Sequence, residues 1–470
     1  MANAKELKEK YFLDLKNGYK RITEAEEKQI LDYCEGYKNF LNSAKTEREA
    51  VKTAIALAAK KGYKEFVPGQ KYSTGDKFFI NNRGKAAAFI KIGKESAEKG
   101  VNIAAAHIDS PRLDLKPQPL YEDSELSLFK THYYGGIRKY QWTAIPLSLH
   151  GVVSLKNGET VEITIGEDEN DPVFVVSDLL PHLAKEQSKR TLNEGIKGEE
   201  LNVIIGSRPF SDDDESELVK LNILNILFNK YNIKEEDFYS AELECVPAFK
   251  ARDLGFDRSM IGSYGHDDRV CAYPCFTALL DTDENESEKE LNKTAVIILA
   301  DKEEIGSDGN TGLNSAFLKY VVDDLCRPFN LSTTVALRNS SCLSADVNGA
   351  FDPTFSDVFE RKNSAYLNYG TVITKYTGAG GKSSTNDASA EYMAKIRKIL
   401  DDNNVIWQAG ELGKVDAGGG GTVAKYIANL GVDVVDIGVP VLSMHSPFET
   451  VAKLEIYNTF KAIKAFILNA

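Results

Sequence analysis

Side chains of the kinds that hold metal ions stand directly after apolar runs at three places: His107 and Asp109 in AAAHIDS, Glu303 and Glu304 in ILADKEEIG, and His445 in VPVLSMHS. Two more acids have similar settings, Asp267 in GSYGHDDRV and Asp346 in SCLSADVNG. His107, Asp267, Glu304, Asp346 and His445 together offer two imidazoles and three carboxylates, a set suited to two divalent ions of the zinc, manganese or cobalt kind. The odd count fits that chemistry, because one carboxylate can bridge two ions roughly 3.5–4 Å apart. Asp109 can accept the second N–H of His107 and fix its tautomer. Adjacent residues leaving a strand point in different directions, so Glu304 can hold metal while Glu303 faces water. Glu303 would then take the water's proton and pass it to a leaving amine.

For these residues to meet, their strands must lie side by side with their carboxyl ends at one edge, as in an open α/β sheet. VNIAAAHIDS and TAVIILADKEEIG lack alternation, which predicts strands buried on both faces. Ahead of them, Thr23 with Glu26 and Thr46 with Glu49 fit capping boxes, and Ile30, Cys34, Tyr37 and Leu41 recur at helical spacing. Residues 120–240 differ, with alternating segments such as TVEITIG and frequent turn signals, and read as a β-rich insertion ending in a helix, ELVKLNILNILFNKY, at 217–231. Strands and helices then alternate to a C-terminal helix carrying Ile456, Phe460, Ile463 and Ile467. The expected architecture is one α/β domain interrupted by a second.

Composition removes several alternatives. With 57 basic and 70 acidic residues the net charge is −13, which argues against nucleic acid or an anionic membrane as partner. The apolar runs are far shorter than the ~20 residues of a membrane span. Six cysteines lie scattered without CxxC pairs behind a charged opening segment, which predicts a reducing cytoplasm, with Cys271 and Cys275 as core thiols. Of the other histidines, His150 reads as a strand residue and His266 as a neighbour of the metal site. The tetraglycine 418–421 lacks the ending of a phosphate loop and reads as close backbone packing near the site.

Seven motifs occur in order: AHIDSPRLDLKP (106–117), YGGI (134–137), HDDRVCAY (266–273), DKEEIGS (301–307), SADVNGAFDP (344–353), GGGGT (418–422) and VDIGVPVLSMHSPFE (435–449). On these the chain resembles, over nearly its whole length, the aspartyl aminopeptidases, a family of cocatalytic-metal exopeptidases. The resemblance implies a mixed-sheet α/β catalytic domain of the zinc-exopeptidase type, here 1–119 and 244–470, interrupted by a β-rich dimerisation domain, 120–243. It further implies a homo-oligomer, usually a tetrahedral dodecamer built from dimers, acting on peptides.

Carried over residue by residue, the resemblance implies His107 and Asp346 on one metal, Glu304 and His445 on the other, and Asp267 rather than Asp268 bridging. Asp109 would orient His107, and Glu303 would be the general base. His182, in DLLPHLA, resembles a histidine that reaches a neighbouring subunit's site. Lys375 matches the lysine of the substrate pocket, but the family's N-x-N-Q-R-Y stretch is replaced by a glycine-rich ITKYTGAGGKSSTNDAS at 373–389, which predicts a specificity broader than Asp or Glu. Competing readings are a deacylase or carboxypeptidase with the same two-metal chemistry, and a catalytically silent assembling or binding shell. No ligand or base is missing, which weighs against the latter.

Overall fold

The unalternating apolar runs form the middle of a nine-stranded sheet in the computed structural model, which describes residues 3–211, 215–282 and 290–470. Across the sheet the strands are Lys64–Glu65, Lys77–Asn82, Ala86–Lys91, Ala295–Ala300, Asn102–His107, Ser341–Ala345, Asp433–Gly438, Thr371–Thr374 and Trp407–Ala409. The four central ones, from Ala295–Ala300 to Asp433–Gly438, are mutually parallel, with antiparallel neighbours on both sides. The sheet is mixed, as expected, and its parallel core aligns four carboxyl ends.

Both faces of these strands are covered. Ala104, Ala106, Ile297 and Leu299 pack beneath the helices Glu24–Ser43, Glu47–Lys60, His266–Asp281, Ala390–Asp402 and Lys453–Asn469. The alternate residues Ile103, Ala105, Val296 and Ile298 face Phe317–Cys326, Thr333–Arg338 and Ala424–Ala428. Each fully buried Ile or Leu there contributes about 1.5–3 kcal/mol, and no position on either face can turn polar without loss. Both expected capping boxes form, Thr23 with Glu26 and Thr46 with Glu49. The six cysteines are all buried and unpaired with one another. Among the described residues no helix is long and apolar enough to cross a membrane.

The alternating segments form a separate, wholly antiparallel sheet of seven strands between Arg112 and Pro247, around Leu113, Phe129, Trp142, Leu149, Val203 and Leu243. Its helix, Leu218–Tyr231, buries only Val219 and leaves Leu221, Ile226 and Phe228 exposed. Ion pairs join this unit to the helix Glu47–Lys60 and the turn before it: Lys45 to Glu167 at 2.6 Å, His150 to Glu49 at 2.7 Å and Arg112 to Glu47 at 3.3 Å. A third sheet of five short strands, including Met260–Ser263 and Glu449–Ala452, has no counterpart in the sequence reading.

Candidate metal centre

The site assembles at the carboxyl edge of the four parallel strands. His107 is the last residue of its strand, Asp346 follows Ala345, Glu303 and Glu304 lie just past Ala300, and His445 sits in the loop after Pro440–Leu442. Asp267 arrives from the start of the segment His266–Asp281, where the backbone of Asp267 and Asp268 is not helical. The centre is thus built from five separate stretches, three leaving strands of the large sheet and two following strands of the five-stranded one.

Asp267 lies between the two imidazoles. Its Oδ1 is 3.1 Å from Nε2 of His107 and its Oδ2 is 3.1 Å from Nε2 of His445. Asp346 stands 3.8 Å from Nε2 of His107, and Glu304 stands 3.3 Å from Nε2 of His445. Two donors each about 2.1 Å from one tetrahedral zinc are separated by about 3.4 Å, so these spacings are those of ligands sharing an ion. One ring N–H cannot satisfy several carboxylates at once, and Oε1 of Glu304 is buried without a hydrogen-bond partner. The donor set therefore fits a bound divalent metal such as zinc. Asp268 also comes within ligand reach of His107 and Asp346, but Asp267 is the residue with one oxygen against each imidazole.

Electrostatics point the same way. Burial pushes the Glu303 carboxyl up to about 8, with Asp346, Asp109 and Asp267 adding to the rise. Burial likewise holds Glu304 and Asp346 above the ordinary carboxylate range. Burial opposes charge on the two histidines too, yet the surrounding acids outweigh it, raising His107 well above its usual value and His445 to about 10. Asp267 is held low despite its burial, because both imidazoles face it. A buried site whose acids outnumber its cations is one that bound cations balance.

Asp109 ties the centre together. Nδ1 of His107 donates to the Asp109 main-chain carbonyl at 3.0 Å and lies 3.3 Å from the Asp109 carboxylate, which accepts the backbone N–H groups of Glu303 and Glu304 at 3.2 Å each and the Tyr134 hydroxyl at 2.7 Å. Nδ1 of His445 donates to the Gly136 carbonyl at 2.8 Å. Glu449 accepts the backbone N–H groups of His445, at 2.7 Å, and Asp267, at 3.0 Å, and so holds His445 at φ +64°, an unfavourable backbone region for a side chain of its size. Gly135 has φ +75°, and a Cβ there would lie 3.3 Å from that of Glu304. Tyr134, Gly136 and Glu449 were not singled out in the sequence, although the motifs YGGI and SPFE contain them.

The donors open into a cavity of about 460 Å³, lined also by Asn348, Gly419, Gly420, Thr422, Lys425, Tyr426 and Met444. The tetraglycine packs closely there: Gly419 has φ +116°, and a Cβ on it would meet the Gly378 carbonyl oxygen. Two expected substrate residues lie elsewhere. His182 is exposed in a loop of the seven-stranded unit, and Lys375 does not line the cavity but is paired with Asp387 at the surface. His150 is a strand residue bonded to Glu49 and Glu167, and His266 is buried against Tyr37, its pKa lowered by burial to about 3.

The family model described as "Aminopeptidase I zinc metalloprotease (M18)" matches residues 40–467. The chain belongs to the M18 family of aminopeptidases. A relative from Clostridium acetobutylicum, named "Probable M18 family aminopeptidase 1", is 49% identical over 464 residues, covering 97% of this chain and 98% of its own length. The crystal structure of an M18-family aminopeptidase from Thermotoga maritima superposes with a TM-score of 0.91 at 43% identity, over 97% of this chain and all of that one. The structure of aminopeptidase I from Clostridium acetobutylicum matches with a TM-score of 0.91 at 47% identity, over 97% and 99% of the two chains. The M18 member described here is a metallo-aminopeptidase, a hydrolase of peptides with the fold of those structures, in the family of the aspartyl aminopeptidases expected from the motifs.

Proposed function

We infer that this aminopeptidase removes N-terminal residues from peptides at a centre of two zinc ions, His107 and Asp346 holding one, Glu304 and His445 the other, and Asp267 both. The observation that carries the reading is the Asp267 carboxylate, which sets one oxygen against each imidazole while each imidazole faces a second acid. Zinc in such a site polarises a carbonyl and makes a water more acidic. Glu303, 4.0 Å from Nε2 of His107 and facing the cavity, takes a proton from water and returns it to the departing amine. Asp109 keeps that carboxylate in place by accepting the Glu303 N–H.

Around this centre, the proposed division is a catalytic domain of residues 1–119 and 244–470 and a dimerisation domain of 120–243. The exposed apolar side chains of Leu218–Tyr231 and of Leu179, Leu180 and Leu183, close in sequence to His182, support a partner surface on that unit. In the proposed assembly, dimers build a dodecamer and His182 enters the neighbouring subunit's site. The enzyme works in the cytoplasm on short peptides, with a specificity broader than acidic.

A panel of aminoacyl anilides, assayed with apo-protein reconstituted by zinc, manganese or cobalt, tests the reading. Turnover of unblocked substrates that depends on added metal is expected. Turnover confined to N-blocked substrates with a free carboxylate would replace it with a carboxypeptidase or deacylase.

A further inference from the structure

Among the described residues, Lys425 is the one lysine or arginine lining the cavity that holds the candidate metal ligands. It is half-buried on the short helix Ala424–Ala428, which Thr422 and Val423 separate from the tetraglycine. Its neighbours fix it in place: Val423, Ala424 and Ile427 are buried in the core, and the Tyr426 hydroxyl donates at 2.8 Å to the carbonyl of Gly306, two residues past Glu304. Among the described residues no carboxylate pairs with Lys425, whose ammonium rests 4.8 Å from the centre of the Tyr426 ring. Lys375, by contrast, already shares Asp387 with Lys382.

Charge balance gives this lysine a task. Asp267, Glu303, Glu304 and Asp346 line the same cavity, and two divalent ions match their four negative charges. Lys425 then leaves the cavity one net positive charge inside a protein of net charge −13. A half-buried ammonium with no acid of its own, at the wall of a hydrolytic site, is a receptor for an anionic group of the substrate.

We propose that Lys425 binds a carboxylate of the peptide substrate, and that it, rather than Lys375, discriminates peptides that carry an acidic group there from those that do not. The assignment rests on the aminopeptidase reading above. A peptide offers two such groups, the side chain of an N-terminal Asp or Glu and the C-terminal carboxylate of a dipeptide, and one experiment separates them. The probes are Asp-p-nitroanilide against Leu-p-nitroanilide, and Leu-Gly against Leu-Gly-amide, with wild type, Lys425→Met, which keeps the stem against Tyr426, and Lys425→Arg. Lys425→Met is expected to lower one of the two kcat/KM ratios by about ten- to a hundredfold, the range of a charge-assisted contact, while Lys425→Arg retains most of it. A fall in the first ratio identifies the side chain, and a fall in the second the C-terminus. Calorimetric binding of Leu-Gly and Leu-Gly-amide to Glu303→Gln protein, with and without Lys425→Met, gives the second comparison without turnover. Losses by one common factor on all four probes, or ratios that move with Lys375→Ala and not with Lys425→Met, overturn the proposal. A wild-type protein that turns over none of the four overturns the aminopeptidase reading as well.

Discussion

Replacing Asp109 by asparagine keeps the side chain's shape and changes only what it can accept. One carboxylate oxygen faces the Glu303 N–H and Nδ1 of His107, and the other faces the Glu304 N–H and the Tyr134 hydroxyl. Burial opposes its charge, but His107, Tyr134 and Arg112 outweigh burial and keep the carboxyl ionised. In Asp109→Asn one oxygen becomes an NH2 group, and whichever it is, a backbone N–H of Glu303 or Glu304 then faces a donor. A buried donor left without an acceptor costs about 1–3 kcal/mol. The hydrogen bond from Nδ1 of His107 to the Asp109 main-chain carbonyl, at 3.0 Å, survives the change, so the loss falls on the backbone of Glu303 and Glu304, and loss of an outer partner of this kind costs about 10–100-fold in metal affinity or activity. Zinc affinity is therefore expected to fall about 10–100-fold, with turnover reduced even at saturating zinc because Glu303 is displaced. Competition with a chromophoric chelator measures the affinity, and circular dichroism of the apo-protein checks that it is folded. Unchanged zinc affinity in folded Asp109→Asn protein would refute the role given to Asp109.

Glu303→Gln is expected to hold metal at the wild-type level while losing about 10²–10⁴ in turnover, whereas Glu304→Gln should lose metal too; equal depletion in elemental analysis would remove the division of labour. His150 is buried, which lowers its pKa, but Glu167 and Glu49 reverse that and raise it above 6.5. Its contribution to stability is therefore complete below about pH 6.5 and declines as pH rises through the folded-state value. Thermal melts should show wild type losing stability on that alkaline side and His150→Gln losing less, and parallel curves would contradict the coupling. If His182 acts in trans, Glu303→Gln and His182→Ala proteins, each impaired alone, should regain partial activity when dissociated and reassembled together, and proven mixed oligomers without recovery would place His182 outside the neighbour's site.

Of the seven proposed residues, His107, Asp109, Glu303, Glu304 and Asp346 stand at or just past strand ends of the large sheet, where the apolar runs put them, whereas Asp267 and His445 follow short strands of the third sheet and were marked by residue type and motif alone. Runs such as AAAH and VIILA have no polar alternation, so they must be covered on both faces, and parallel strands of that kind end along one edge. What the sequence did not reveal has physical reasons. Gly136 acts through a carbonyl that every residue has, so its type carries no signal. Glu449 is placed by a five-stranded sheet whose strands are two to four residues long, too short for a period to register. Lys375 drew notice through the family motif, but its pairing with Asp387 depends on a turn in a segment where the motif is altered, while Lys425 was hidden in an ordinary helix start.

The same contacts explain why the β-rich unit cannot be treated as an appendage. Tyr134 and Gly136 lie at the end of one of its strands, and they hold Asp109 and the ring of His445 respectively. Behind Tyr134, Arg112 stacks 3.9 Å from the ring centre and is paired with Glu47 at 3.3 Å and Glu244 at 3.2 Å, one from the helix Glu47–Lys60 and one from the unit's own strand Ala241–Pro247. Buried pairs of this kind return little net stability once desolvation is counted, so stability alone does not account for burying them. What they supply is direction: a charge clamped from both units fixes the tyrosine, the tyrosine fixes Asp109, and Asp109 holds His107 on one side and the backbone of Glu303 and Glu304 on the other. A fold that relied on the large sheet alone would bring His107, Glu303, Glu304 and Asp346 to its edge without the contacts that orient them.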